Sequence, residues 1–96
     1  MKTINEIVEI LNRQKLYLTD KYGLKDIAIF GSFSRGDQTN ISDVDILVEF
    51  DRPIGLDFVM FGDELEELLG VKVDVVTRNS LSDEMYRNIQ TDLSYV

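Results

Sequence analysis

Ile4, Ile7, Val8, Leu11 and Leu18 recur at helical spacing, with Glu6, Glu9, Asn12 and Arg13 between them. That period predicts an amphipathic helix over residues about 3 to 21. Thr3 followed by Glu6 has the form of a capping box at its start. Gly23 breaks the pattern, and the short apolar run Asp26-Ile27-Ala28-Ile29-Phe30, stopped by Gly31, reads as a buried strand. Residues 31 to 42 are rich in Gly, Ser, Asn and Asp, which predicts a turn region with at most one short helical turn, and Gly36 supplies a positive φ angle for it.

From Val44 to Phe50 the β-branched content rises until Pro53 and Gly55 close the segment, giving a second strand. Leu56, Val59, Met60, Leu65, Leu68 and Leu69 stand against a face of Glu64, Glu66 and Glu67, so a second long helix is expected, ended by Gly70 and weakened slightly by Gly62. Val71, Val73 and Val75 alternate with Lys72 and Asp74 in a third strand ending near Thr77. Ser80 is then placed to cap a short helix through about Ile89, and residues 91 to 96 form a tail or an edge strand. No internal repeat or linker interrupts the chain. Helix, strand, strand, helix, strand, helix is the order of an α/β (α+β) fold, a small mixed sheet with helices packed on it.

The chain has 96 residues, enough for a single domain spanning 1–96 with one core. Hydrophobic residues at 44% and charged residues at 29% are ordinary for a globular protein. No run approaches a membrane span and no secretory h-region opens the chain, so a cytoplasmic location is the expectation. There is neither cysteine nor histidine, which removes thiolate chemistry, disulfides, the usual zinc ligands and the commonest general base. Chemistry falls to carboxylates, hydroxyls and bound metal. A net charge of −8 repels phosphate backbones and makes long nucleic acid a poor principal ligand, while it suits divalent cations or a basic protein surface.

The acids of the strands carry the chemical signal. Alternation puts Asp43 and Asp45 on one face and Val44, Ile46 and Val48 on the other. Same-face carboxylates about 6.6 to 7 Å apart along a strand can converge on ions, and their mutual repulsion calls for a cation between them. Oxygen-only ligation favours a hard ion, magnesium above zinc. Asp74, between Val73 and Val75, adds a third acid to the same surface if its strand lies beside the second. Each acid alone also admits a plain role: Asp43 as a turn former, Asp45 as a solvent-facing strand residue, Asp74 as an exposed position of an amphipathic strand. Their agreement is what singles them out. Gly31 and Ser32 follow the first strand where free backbone N–H groups can cradle phosphate, or simply make a tight turn. Arg35 can reach a terminal phosphate or pair with Asp37 or Asp43.

The string Gly31-Ser32, ten residues, Asp43-Val44-Asp45 resembles the signature of the DNA polymerase beta-like nucleotidyltransferase superfamily. Its surroundings, residues 30 to 37 and 42 to 48, resemble the minimal nucleotidyltransferases that act as antitoxins beside HEPN toxins, and Val73-Asp74-Val75 matches the place of the family's third carboxylate. The resemblance covers essentially the whole chain. It implies an ATP-dependent protein adenylyltransferase, the antitoxin of a type VII-like pair, moving AMP from ATP to a tyrosine of a HEPN ribonuclease. It also implies roles: Gly31 and Ser32 hold the triphosphate, Asp43 and Asp45 bind two magnesium ions, and Asp74 assists the acceptor; with Arg35 beside the phosphates and Asp74 counted among the metal-holding catalytic acids, these are the expected site residues. Two alternatives keep the same residues. In one the chain blocks a basic toxin by binding alone; in the other it modifies a small molecule, for which no segment is left to build a pocket. The apolar residues Phe58, Met60 and Phe61 serve either the core or a partner surface.

Overall fold

In the computed structural model, which describes residues 2–96, helix α1 spans Ile4–Tyr22 and opens with the expected box. Thr3 Oγ1 accepts from Glu6 N at 3.3 Å and Thr3 N donates to Glu6 Oε1 at 3.1 Å. Strand β1 is Leu24–Phe30, one short helical turn α2 is Ser32–Arg35, and strand β2 is Val44–Phe50. Helix α3, Asp57–Leu69, is ended by Gly70, and β3 is Val73–Thr77. A 3-10 turn at Arg78–Ser80, helix α4 at Asp83–Gln90 and the two-residue strand β4, Ser94–Tyr95, complete the chain.

The start of α4 differs from expectation. Ser82, not Ser80, is the N-cap, its hydroxyl accepting from Met85 N at 3.1 Å. Ser80 instead ends the 3-10 turn and donates its hydroxyl to the Thr77 carbonyl at 2.8 Å. The next two residues distinguish the caps: with Ser82 both Asp83 and Glu84 fall in the first turn, where carboxylates meet the positive helix end, whereas with Ser80 only Asp83 would.

The sheet order is β3-β2-β1-β4. β1 pairs antiparallel with β2 and with β4, so the C-terminal residues form an edge strand, while β2 and β3 run parallel. α1 and α3 cover one face. Ile7, Leu11, Leu18 and Tyr22 of α1 meet Ile27 and Ile29 of β1, Val44, Ile46 and Val48 of β2, and Phe61, Leu65 and Leu69 of α3, all buried. Phe61 sits between Tyr22 and Phe50 in edge-to-face contacts at 5.1 and 5.2 Å, a geometry that aligns ring edge with ring face. Phe58 packs against this core as well, whereas Val59 and Met60 stay exposed, so the apolar surplus of α3 divides between core and surface. Among the described residues no helix is long and apolar enough to cross a membrane.

Candidate active site

Because Val44, Ile46 and Val48 turn to the helices, Asp45 must turn the other way. In the register of the sheet Asp45 lies opposite Phe30 on β1 and opposite Asp74 on β3. Neighbours in register share a face, at a strand spacing of about 4.8 Å. The structure therefore brings Asp45 and Asp74 side by side, with Asp43 on the approach to β2. Asp45 is half-buried; Asp43 and Asp74 are exposed.

Gly31 closes the third side. It has φ 74° and ψ −150°, and a Cβ built there would lie 2.2 Å from Asp45 Oδ2. The carboxylate occupies the space that any side chain at position 31 would fill. Ser32 then begins α2, with Arg35 N bonded to the Gly31 carbonyl at 3.0 Å and Gly36 N to the Ser32 carbonyl at 2.9 Å. The turn that follows β1 is thus wrapped around the acid of β2.

The electrostatics follow from the packing. The Asp45 carboxyl is pushed above its ordinary value by burial first, then by the charges of Asp74 and Asp43, against a smaller opposing pull from Arg35. Among the described residues none of the three acids takes part in an ion pair. Nor are three acidic side chains already gathered into a cage that could hold a metal ion. Uncompensated carboxylates that repel one another do not close up by themselves, and magnesium commonly takes only one or two of them together with water and substrate phosphate. Oxygen donors with uncompensated charge fit a hard divalent cation.

Arg35 bonds to Asp92 Oδ2 at 2.8 Å and to Asp37 Oδ2 at 3.2 Å, not to Asp43. Asp92 was not foreseen, and neither was the tie beside it, in which the Ser34 hydroxyl meets the Asp92 carbonyl and Ser94 Oγ, the latter at 2.8 Å. No local pattern signals these contacts, which join residues 57 to 60 positions apart. A cleft of about 400 Å³ is lined by Phe50, Arg52, Ile54, Phe58 and Arg78 among others. It lies at the far end of β2, away from the carboxylates, which sit on an open face.

A nucleotidyltransferase domain family model matches residues 6–96. A candidate protein adenylyltransferase of Methanocaldococcus jannaschii is 46% identical over 100 aligned residues, covering both chains completely. The protein adenylyltransferase MntA of Thermococcus cleftensis is 39% identical over 97, covering 100% of this chain and 98% of its own. A solved toxin-antitoxin structure with AMP-PNP superposes with a TM-score of 0.69 at 26% identity, over 95% of this chain and 69% of that one. The chain belongs to the nucleotidyltransferase domain family, among the minimal members that include the protein adenylyltransferases.

Proposed function

We propose that this nucleotidyltransferase is the antitoxin of a toxin-antitoxin pair, acting in the cytoplasm by moving AMP from ATP to a tyrosine hydroxyl of a HEPN-type ribonuclease. The observation that carries the reading is the register of Asp45 with Asp74 beside a glycine that leaves the Asp45 carboxylate its space. An MntA adenylyltransferase among the relatives and an ATP analogue in the toxin-antitoxin neighbour support the choice of nucleotide and partner class.

Gly31 lets the backbone approach the triphosphate, and Ser32 adds a hydroxyl donor. Arg35 has five N–H donors, and those left over by Asp37 and Asp92 would serve the terminal phosphates. Asp43, Asp45 and Asp74 would hold two magnesium ions, whose charge offsets that of the triphosphate as it builds up during transfer. The acceptor oxygen bonds to the α-phosphorus, the bond from that phosphorus to the α,β-bridging oxygen breaks, and pyrophosphate leaves. Asp74, exposed on the edge strand, is the carboxylate an incoming hydroxyl meets, and it takes the proton. Positioning and charge neutralisation dominate such transfers, so a chain without histidine can perform them.

Incubation of the chain with ATP, magnesium and its partner ribonuclease should add AMP to the ribonuclease, seen by intact mass. The Asp43→Asn, Asp45→Asn double variant should leave the partner unmodified and active. If that variant silences the ribonuclease as fully as the parent chain does, binding alone is the mechanism and transfer is not.

A further inference from the structure

Strand β3 ends the sheet, and its outer edge is open in the middle. Val44 N donates to the Lys72 carbonyl at 2.9 Å, and Val44 stands opposite Val73. In a parallel ladder this parity turns the backbone groups of residues 72, 74 and 76 toward β2 and those of Val73, Val75 and Thr77 outward. The two ends of the outer row are closed: Val73 N donates to Glu66 Oε2 at 3.0 Å, and the Thr77 carbonyl accepts from Ser80 Oγ at 2.8 Å. Between them, among the described residues, the Val73 carbonyl, both groups of Val75 and the Thr77 N–H are left for another strand. β3 reads Val-Asp-Val-Val-Thr, without the lysine, proline or bulge that normally blunts an edge.

Beside that edge runs a groove of about 210 Å³ between β3 and α3, lined by Phe58, Val59, Gly62, Val73 and Val75 and rimmed by Asp63 and Glu66. Gly62 leaves its helix face open, since a Cβ there would meet nothing within 4 Å. On the opposite face of the same strand stands Asp74.

We infer that the acceptor segment of the protein substrate docks as an extended strand on the free edge of β3. The inference rests on the adenylyl-transfer reading for what happens after docking. Alternation sets the pattern of the segment. The residue beside Asp74 projects on the carboxylate face and carries the hydroxyl. Its two neighbours project into the groove of Phe58, Val59 and Gly62 and are apolar. Asp63, Glu66 and Asp74 favour basic residues outside this triplet and disfavour acidic ones. Main-chain pairing supplies the hold, and the groove selects apolar–hydroxyl–apolar triplets.

The test uses the full chain with isotope-labelled amides and a short lysine-flanked peptide centred on Val-Phe-Val, which can dock but cannot accept AMP. The amides of Val75 and Thr77 should shift and exchange more slowly. Gly62→Phe, which fills the groove, and Val59→Lys, which puts a like charge at an exposed position, should each weaken binding by about tenfold or more. Shifts confined to other surfaces, absence of binding at millimolar peptide, or wild-type affinity in both variants overturns the docking site. The matching Val-Tyr-Val peptide with ATP and magnesium separates the two claims. A peptide that binds at β3 but gains no AMP counts against transfer and leaves the edge standing; one that gains AMP without touching β3 refutes the edge.

Discussion

The two faces of this sheet are built from alternate residues of the same strands, yet around Asp45 and Asp74 they are opposite in kind. On the helix-covered face Val44, Ile46 and Val48 vanish beneath α1 and α3, and Phe61 is wholly enclosed between two rings. On the other face Asp45 and Asp74 sit side by side, and among the described residues no countercharge is bonded to them. The covered face supplies stability; the open face spends some of it to keep like charges together. Substitutions one residue apart should therefore separate folding from chemistry.

The largest effect belongs to the covered face. Phe61→Ala should cost about 3 to 5 kcal/mol, a large part of the roughly 5 to 15 kcal/mol that holds a small domain folded. Urea unfolding measures the loss, and nucleotidyl transfer per folded molecule should survive at low temperature. Asp45→Asn should do the reverse. Transfer should fall by about 10²- to 10³-fold or more, as when a group that stabilises transition-state charge is removed. In buffer without divalent cations its unfolding midpoint should hold or rise, because a half-buried charge beside Asp74 and Asp43 has been neutralised. A midpoint that drops by several degrees would show that Asp45 is a structural residue.

Gly31 joins the two regions, and Gly36 is its control. Both have positive φ, 74° and 81°. Alanine at Gly36 meets nothing within 4 Å and should cost only backbone strain, about 1 to 2 kcal/mol. Alanine at Gly31 adds to a cost of about 1 to 3 kcal/mol a clash with Asp45 Oδ2, so transfer should fall along with stability. Equal losses of transfer in the two variants would break the link between Gly31 and the carboxylate.

Much of this division was legible in the sequence because it is local. The alternation of Val44 to Val48 assigns Asp45 to its face without any tertiary information, and Thr3 with Glu6 marks the start of α1 to within a residue. The neighbouring of β2 and β3 had to be assumed, and the parallel register that sets Asp45 against Asp74 emerged only in three dimensions. Arg35 shows the limit. Its partner could be guessed among nearby acids, but Asp92 reaches it through the C-terminal strand, and nothing in residues 30 to 45 encodes that approach. Ser80 and Ser82 both satisfy the capping rule and Asp83 falls in the first turn from either, so the local pattern leaves the start of α4 open by two residues.

A contact of the covered layer, equally hidden in the sequence, gives the smallest and most specific expectation. Glu64 of α3 accepts from Lys21 Nζ at 2.9 Å and from the Tyr22 hydroxyl at 2.7 Å, tying α3 to the end of α1. Lys21 chiefly, with Tyr22, holds the Glu64 carboxyl below its usual 4.5 despite opposing burial, while burial and Glu64 push the Tyr22 hydroxyl up to about 12. A depressed carboxyl stabilises the fold fully above its unfolded value and loses that contribution as pH falls through the folded one. A raised phenol stabilises fully below 10.0 and loses its share as pH climbs toward about 12. Glu64→Gln should therefore be less stable than the parent chain at neutral pH, with the gap closing in acid as the parent's carboxyl protonates. Urea midpoints of the two chains at about pH 7 and at about pH 3 decide it. A gap of the same size at both would mean that the α1–α3 tie rests on shape and neutral hydrogen bonds, and that charge matters to this molecule only on its open face.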